Sequence, residues 1–246
     1  MIDLTKTKVS EEYLRENKDS IDWDIVCEYQ KLSEPFIEEF QNYVNWSKIS
    51  RCQKLSEPFM EKHLNKLFSS IAQFQVLSEG FIKKYHKMWG FLWTDIFCFQ
   101  KISEDFIREF QDMDFIKNSW DIIPSTQILS EDFIEEFAET INWTALSYGK
   151  WDLISEQFVE KHIDKFDLDR VWHFQSLSKS FIEKHVDKIS PEVLVDNINN
   201  LKKAPSYIIL KYMRYICEGC GDIFELKDSL TEEEFTLLKN CYEMLK

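Results

Sequence analysis

Glycine and proline are scarce, at five residues each in a chain of 246, when an average globular chain carries about 12% of the two together. That excludes loop-rich and most all-β designs, whose turns draw on these residues, and it favours helices. No stretch approaches the ~18 consecutive apolar residues of a bilayer-spanning helix, so no membrane association is expected. The N-terminal MIDLTKTKVSEEYL has no apolar run behind its lysines and does not read as a signal peptide. The six cysteines are scattered, at 27, 52, 98, 217, 220 and 241, mostly within helical patterns. That spread fits reduced thiols in a cytoplasmic protein better than a disulfide framework. Positive charge is the minority sign, 30 Lys and Arg against 44 Asp and Glu, for a formal net charge of -14. Such a surface repels nucleic acid at long range and attracts a basic partner. Solubility alone also accounts for it.

What is abundant is repetition. Serine recurs at 10, 33, 56, 78, 103, 130, 155 and 178, with spacings of 22 to 27 residues. An aliphatic residue precedes each one, and Glu follows in seven of the eight units. Serine is a strong helix N-cap, and a carboxylate in the first turn is favoured by the helix dipole. Pro35 and Pro58 fit that turn, where no intrahelical N–H is lost. Three residues after each serine come an aromatic and an aliphatic together, as in Phe36-Ile37 and Phe133-Ile134. Four residues after the first aromatic lies Phe40, His63, Tyr85, Phe110, Phe137, His162 or His185, on the same helical face.

A second short helix is expected from the slot holding Trp23, Trp46, Phe68, Trp93, Trp120, Trp143 and Leu168. The residues just after it, such as Asp24, Ser47, Thr144 and Asp169, are taken as helix starters. Seven residues beyond that slot stands Gln30, Gln53, Gln75, Gln100, Gln127 or Gln175, with Lys150 as the exception. Neither helix of such a hairpin is stable alone, so neighbours must stack. The expected fold is an all-α solenoid of about 23-residue, two-helix repeats. Eight hairpins fill 1–190, and degenerate units at 191–246 form a C-terminal cap of the same continuous domain. The cap keeps traces of the pattern in APSYIILKY (204–212) and LTEEEFTLL (230–238).

The phrase LSEDFIEEF (Leu129 to Phe137), followed by INW (141–143), resembles the short tandem repeats of proteins from giant DNA viruses and bacteriophages. The resemblance covers roughly 9–190. It implies a helical-repeat fold and a viral or phage origin, and it brings no catalytic residues with it.

Candidates for chemistry each have a plainer alternative. His63, His162 and His185 sit in a slot otherwise aromatic, in separate repeats, and read as packing. The Gln ladder could read RNA bases, one per unit, or it could satisfy backbone groups where one unit turns into the next; the second reading is preferred. Cys217 and Cys220, with Cys241 nearby, resemble a zinc knuckle, but structural zinc wants four ligands and no histidine is at hand. No metal or other cofactor is therefore expected. Glu38-Glu39 and Glu135-Glu136 are helical i, i+1 neighbours and diverge, so they cannot work as an acid/base pair. The spacing lengthens at Met88 to Leu92 and Gln111 to Ser119, and insertions in repeat arrays often mark the binding face. Trp89 and Phe91 there are candidate partner anchors, with Trp151, Trp172 and the adjacent His173 as further ones; filling of irregular stacking is the alternative. The expectation is a non-enzymatic scaffold that binds a basic protein surface, in the manner of an antagonist of a host defence nucleoprotein (an anti-CRISPR-like role). The alternatives are a nucleic-acid-binding repeat protein with a C-terminal zinc knuckle, and a structural virion component.

Overall fold

A computed structural model describes residues 2–149, 154–219 and 223–245, with the side chain of Phe91 excepted. It is all-helical, and the serines do what their chemistry suggests. In all eight repeats the serine hydroxyl accepts from the backbone N–H three residues on, from Tyr13 in the first to Phe181 in the last. The first helices are short, Glu34–Glu39 and Glu131–Glu136 for example. Most stop where the second aromatic of the face takes a non-helical backbone, as Phe40 does at φ -105° and ψ 26°.

The second helices include Trp23–Tyr29, Trp46–Cys52, Trp93–Phe99, Trp143–Ser147 and Leu168–Phe174. Their caps lie two residues earlier than the sequence pattern indicates. Asp22, Asn45, Asn142 and Asp167 cap with their side chains, which puts Asp24, Ser47, Thr144 and Asp169 inside the first turn. The third repeat departs further, because Phe68 lies within an eleven-residue helix, Leu64–Phe74.

The chain divides into two compact units, Met1–Ile123 and Pro124–Lys246, within the stretch that carries the repeat. In the first unit, Leu14, Ile37, Met60, Ile82 and Ile107 from first helices and Val26, Ile49, Ile71 and Ile96 from second helices are all buried, and Leu14, Val26, Ile37 and Ile49 share one core cluster. Three second-helix indoles reach the next repeat at nearly constant distance: Trp23 to Phe36 6.2 Å, Trp46 to Phe59 6.3 Å, Trp93 to Phe106 6.4 Å. The second unit repeats the arrangement, with Trp143 to Phe158 at 6.4 Å. It ends in the helices Ile198–Lys203, Ser206–Lys211, Met213–Gly219 and Glu232–Leu245. The last of these starts with a reciprocal cap: Thr231 Oγ1 accepts from the Glu234 N–H while Glu234 Oε2 accepts from the Thr231 N–H.

Three polar ladders bind consecutive repeats. The glutamines form the first. Gln53 Oε1 accepts from the Leu32 N–H at 3.0 Å, and its Nε2 donates to Cys27 O at 2.9 Å and Gln30 O at 2.7 Å. Gln75 and Gln100 make the same three bonds one and two repeats on. In the cap, Asn200 takes over: it accepts from the Leu177 N–H and donates to Trp172 O and Gln175 O. The preferred sequence reading of this slot, backbone satisfaction, describes these bonds.

The second ladder is the glutamate after the capping serine. Its carboxylate accepts the N–H of the next repeat's serine, from Ser33 to Glu11 at 2.7 Å and from Ser155 to Glu131 at 2.6 Å. Glu34, Glu57, Glu79 and Glu156 do the same. In the third, a first-helix glutamate receives the next repeat's second-aromatic residue and the lysine before it. Glu38 pairs with Lys62 at 2.9 Å and His63 at 2.6 Å. Glu135 holds Lys161 and His162, and Glu160 holds Lys184 and His185. Those partners hold all three carboxyls below the usual range, with Lys62 the largest cause for Glu38 and His185 for Glu160. His63, His162 and His185 are therefore packing and pairing residues within the stack.

Candidate functional site

The two stretches where the repeat lengthens come together in the first unit. The earlier one runs as two 3-10 turns, His86–Met88 and Gly90–Leu92. Gly90 between them has φ +44°, a left-handed conformation that glycine takes without steric penalty. The later one holds the short helix Asp114–Lys117. Between them lies an open cavity of about 440 Å³, lined by His86, Gly90, Trp93, Met113, Phe115 and Asn118 among others. Trp93 and Phe115 form its aromatic floor, stacked at 3.7 Å with planes 2° apart. Met88 and Met113 stay exposed, and so does Asp114. The His86 Nδ1 lies 2.8 Å from Lys83 O. An apolar floor with a mixed polar rim, and flexible thioethers nearby, suits an inserted apolar side chain from a partner.

The anchors named from the sequence fare differently. Trp89 is fully buried, donates its indole N–H to Ile82 O at 3.0 Å and stacks on Phe68 at 5.0 Å. Trp172 is equally buried and donates to Leu194 O at 3.1 Å. Both belong to the core, so neither presents a surface for a partner; each indole had a backbone carbonyl within reach that burial could satisfy. The side chain of Phe91 and all of Trp151 lie outside the described residues. His173 is exposed, with Nδ1 3.6 Å from Asp196 Oδ2. It lines a separate cavity of about 230 Å³ with Asp167, Asp169, Arg170, Val193 and Asp196. Two of those carboxylates are engaged, Asp167 as a helix cap and Asp169 accepting from the Ser190 N–H.

Cys217 is buried, with Sγ 3.5 Å from Leu238 O, and Cys241 is half-buried. Cys220 lies outside the described residues. Among the described residues, no three of His, Cys, Asp or Glu are grouped so as to hold a metal. Among them, too, no helix is long and apolar enough to cross a membrane. Glu38 and Glu39 diverge as expected: Glu38 turns to Lys62 and His63, and Glu39 to Arg15 at 2.9 Å.

Sequence reasoning missed a surface at the opposite end of the second helices. The residue before a ladder glutamine is exposed and aromatic in four repeats: Tyr29, Phe74, Phe99 and, in the second unit, Phe174. A recurrent aromatic beside a buried slot was the available signal. The fold defines an all-α helical-repeat protein. No family model, curated protein or solved structure matches the chain.

Proposed function

We propose that this chain is a non-enzymatic protein-binding scaffold whose repeats present the cavity of the first unit to a partner. The observation that carries the reading is the convergence of the two repeat-specific insertions on one aromatic-floored cavity, as expected where an array departs from its period in order to bind. The acidic excess supports a partner with a basic, nucleic-acid-binding surface. Exposed carboxylates such as Glu12, Glu16, Asp112, Asp132 and Glu139 stand on or beside the first helices. The likeness of the motif to viral and phage repeats favours a host defence nucleoprotein as that partner.

The test is affinity capture of the tagged chain from lysate of its native host at low and high salt, followed by binding of the recovered protein to Met113→Asp. A nucleic-acid-handling protein that is released by salt and competed by duplex DNA supports the proposal, provided Met113→Asp weakens it. Recovery of the bait alone, or binding indifferent to both salt and Met113, sinks it.

A further inference from the structure

The first unit carries a second surface of the opposite chemistry. Trp93 of the cavity and Phe99 stand at the two ends of one seven-residue helix, about 9 Å apart along its axis. At the Phe99 end, consecutive repeats expose Tyr29, Cys52, Phe74 and Phe99 in one slot, with Val76, 91% exposed, beside Phe74. The slot is continuous from repeat to repeat, since the Arg51 guanidinium lies 5.0 Å from the centre of the Phe74 ring.

The charges along this edge run against those of the chain. Two residues after Tyr29, Cys52 and Phe99 come Lys31, Lys54 and Lys101, all exposed and forming no ion pair among the described residues. Lys8 reaches the Tyr29 carbonyl. Two acidic groups on the same second helices are already engaged: Glu28 pairs with Lys48 at 2.7 Å, and Asp95 accepts from Gln73 at 3.1 Å. The edge therefore carries three exposed aromatic rings and three lysines without an ion pair among the described residues, on a molecule of net charge -14.

We propose that this edge binds an extended acidic peptide bearing apolar side chains at regular intervals. Stacked helices sit about 8–10 Å apart, and an extended chain rises about 3.3 Å per residue. One ligand residue in three then meets the aromatic slot, and acidic residues between face the lysines. A short peptide suits the molecule better than a nucleic acid strand, whose unbroken phosphate charge would be repelled by the acidic remainder of the chain.

The test uses the full chain and a fluorescein-labelled peptide of repeating Asp-Glu-Leu triplets, read by anisotropy across a salt series. Comparison probes are the same peptide with Ser for Leu, the same with Lys for both acids, and a dT oligomer. The expected result is binding to the Leu peptide that weakens with salt, with at least about tenfold loss for the Ser peptide and for Phe74→Ala/Phe99→Ala. Because both rings are exposed, that variant keeps its circular dichroism and melting temperature. Met113→Asp leaves this binding unchanged, so failure here and failure of the cavity proposal are separable. Equal binding of the Ser or Lys peptide, tighter binding of the dT oligomer, no binding at all, or self-association abolished by the double variant would each overturn the proposal.

Discussion

Replacing Gln53 with methionine keeps the side chain's length and removes its polarity. Gln53 is 6% exposed and serves three backbone groups, Cys27 O and Gln30 O of the preceding repeat and the Leu32 N–H in the turn between that repeat and its own. Each bond contributes about 1 kcal/mol net, and each buried group left unpaired costs about 1–3 kcal/mol. Partial hydration at the turn recovers some of that, so a loss of about 3–5 kcal/mol is expected. This would be an exceptional value for a single substitution and a large fraction of a domain's total stability of about 5–15 kcal/mol. Gln53→Glu is the diagnostic companion. It keeps an acceptor for Leu32 but brings a negative charge against two carbonyl oxygens, so it should cost at least as much as methionine. Urea unfolding followed by far-ultraviolet circular dichroism gives the energies, and hydrogen exchange of the segment containing Leu32 locates the damage. A loss below about 1 kcal/mol with the Leu32 amide still protected would refute the reasoning.

Trp89→Ala should destabilise the chain by about 3–5 kcal/mol, the range for large aromatic truncations in a core, measured by the same unfolding assay; a near-neutral change would return Trp89 to the candidate anchors. Glu38, Glu135 and Glu160 have folded carboxyls below the ordinary carboxylate range. Their contribution is present above the unfolded value near 4.5 and is lost as pH falls through the folded value. An acid titration of Glu38→Gln should therefore show a shallower loss of stability below about pH 4.5 than the parent. Burial pushes the Cys27 thiol up to about 11, whereas Cys52 is exposed. Iodoacetamide at mildly alkaline pH should label Cys52 readily and Cys27 only after unfolding, as peptide mapping would reveal.

The parts of the fold legible in the sequence are those whose partners lie nearby along the chain. The serine cap needs only the residue three positions on, and the aromatic face only its i+4 neighbour, so both could be assigned. The second-helix caps slipped by two residues because Asp22 and Asp24, or Asn142 and Thr144, are both able to cap. The Glu-to-serine ladder was hidden behind a sufficient local explanation, the helix dipole, while its true acceptor role lies a full repeat away. Trp89 and Trp172 show the same limit from the core side, since whether an indole in an irregular stretch points inward depends on the packing of other repeats. The convergence of the two insertions was foreshadowed by their departure from the period. The exposure of Tyr29, Phe74 and Phe99 was not, because it depends on how the ends of the second helices stack.

The glutamine ladder also bears on how such a chain can grow. The side chains of Gln53, Gln75 and Gln100 each bond one backbone N–H and two backbone C=O groups of the neighbouring chain, groups that every residue except proline offers alike. The glutamate ladder likewise catches a main-chain amide. A junction made this way is indifferent to the identity of the repeat before it. Duplication or loss of one whole period leaves every junction with the atoms it needs, whereas a gain of two or three residues inside a period does not. Such a gene can lengthen or shorten by recombination while its surface diversifies freely.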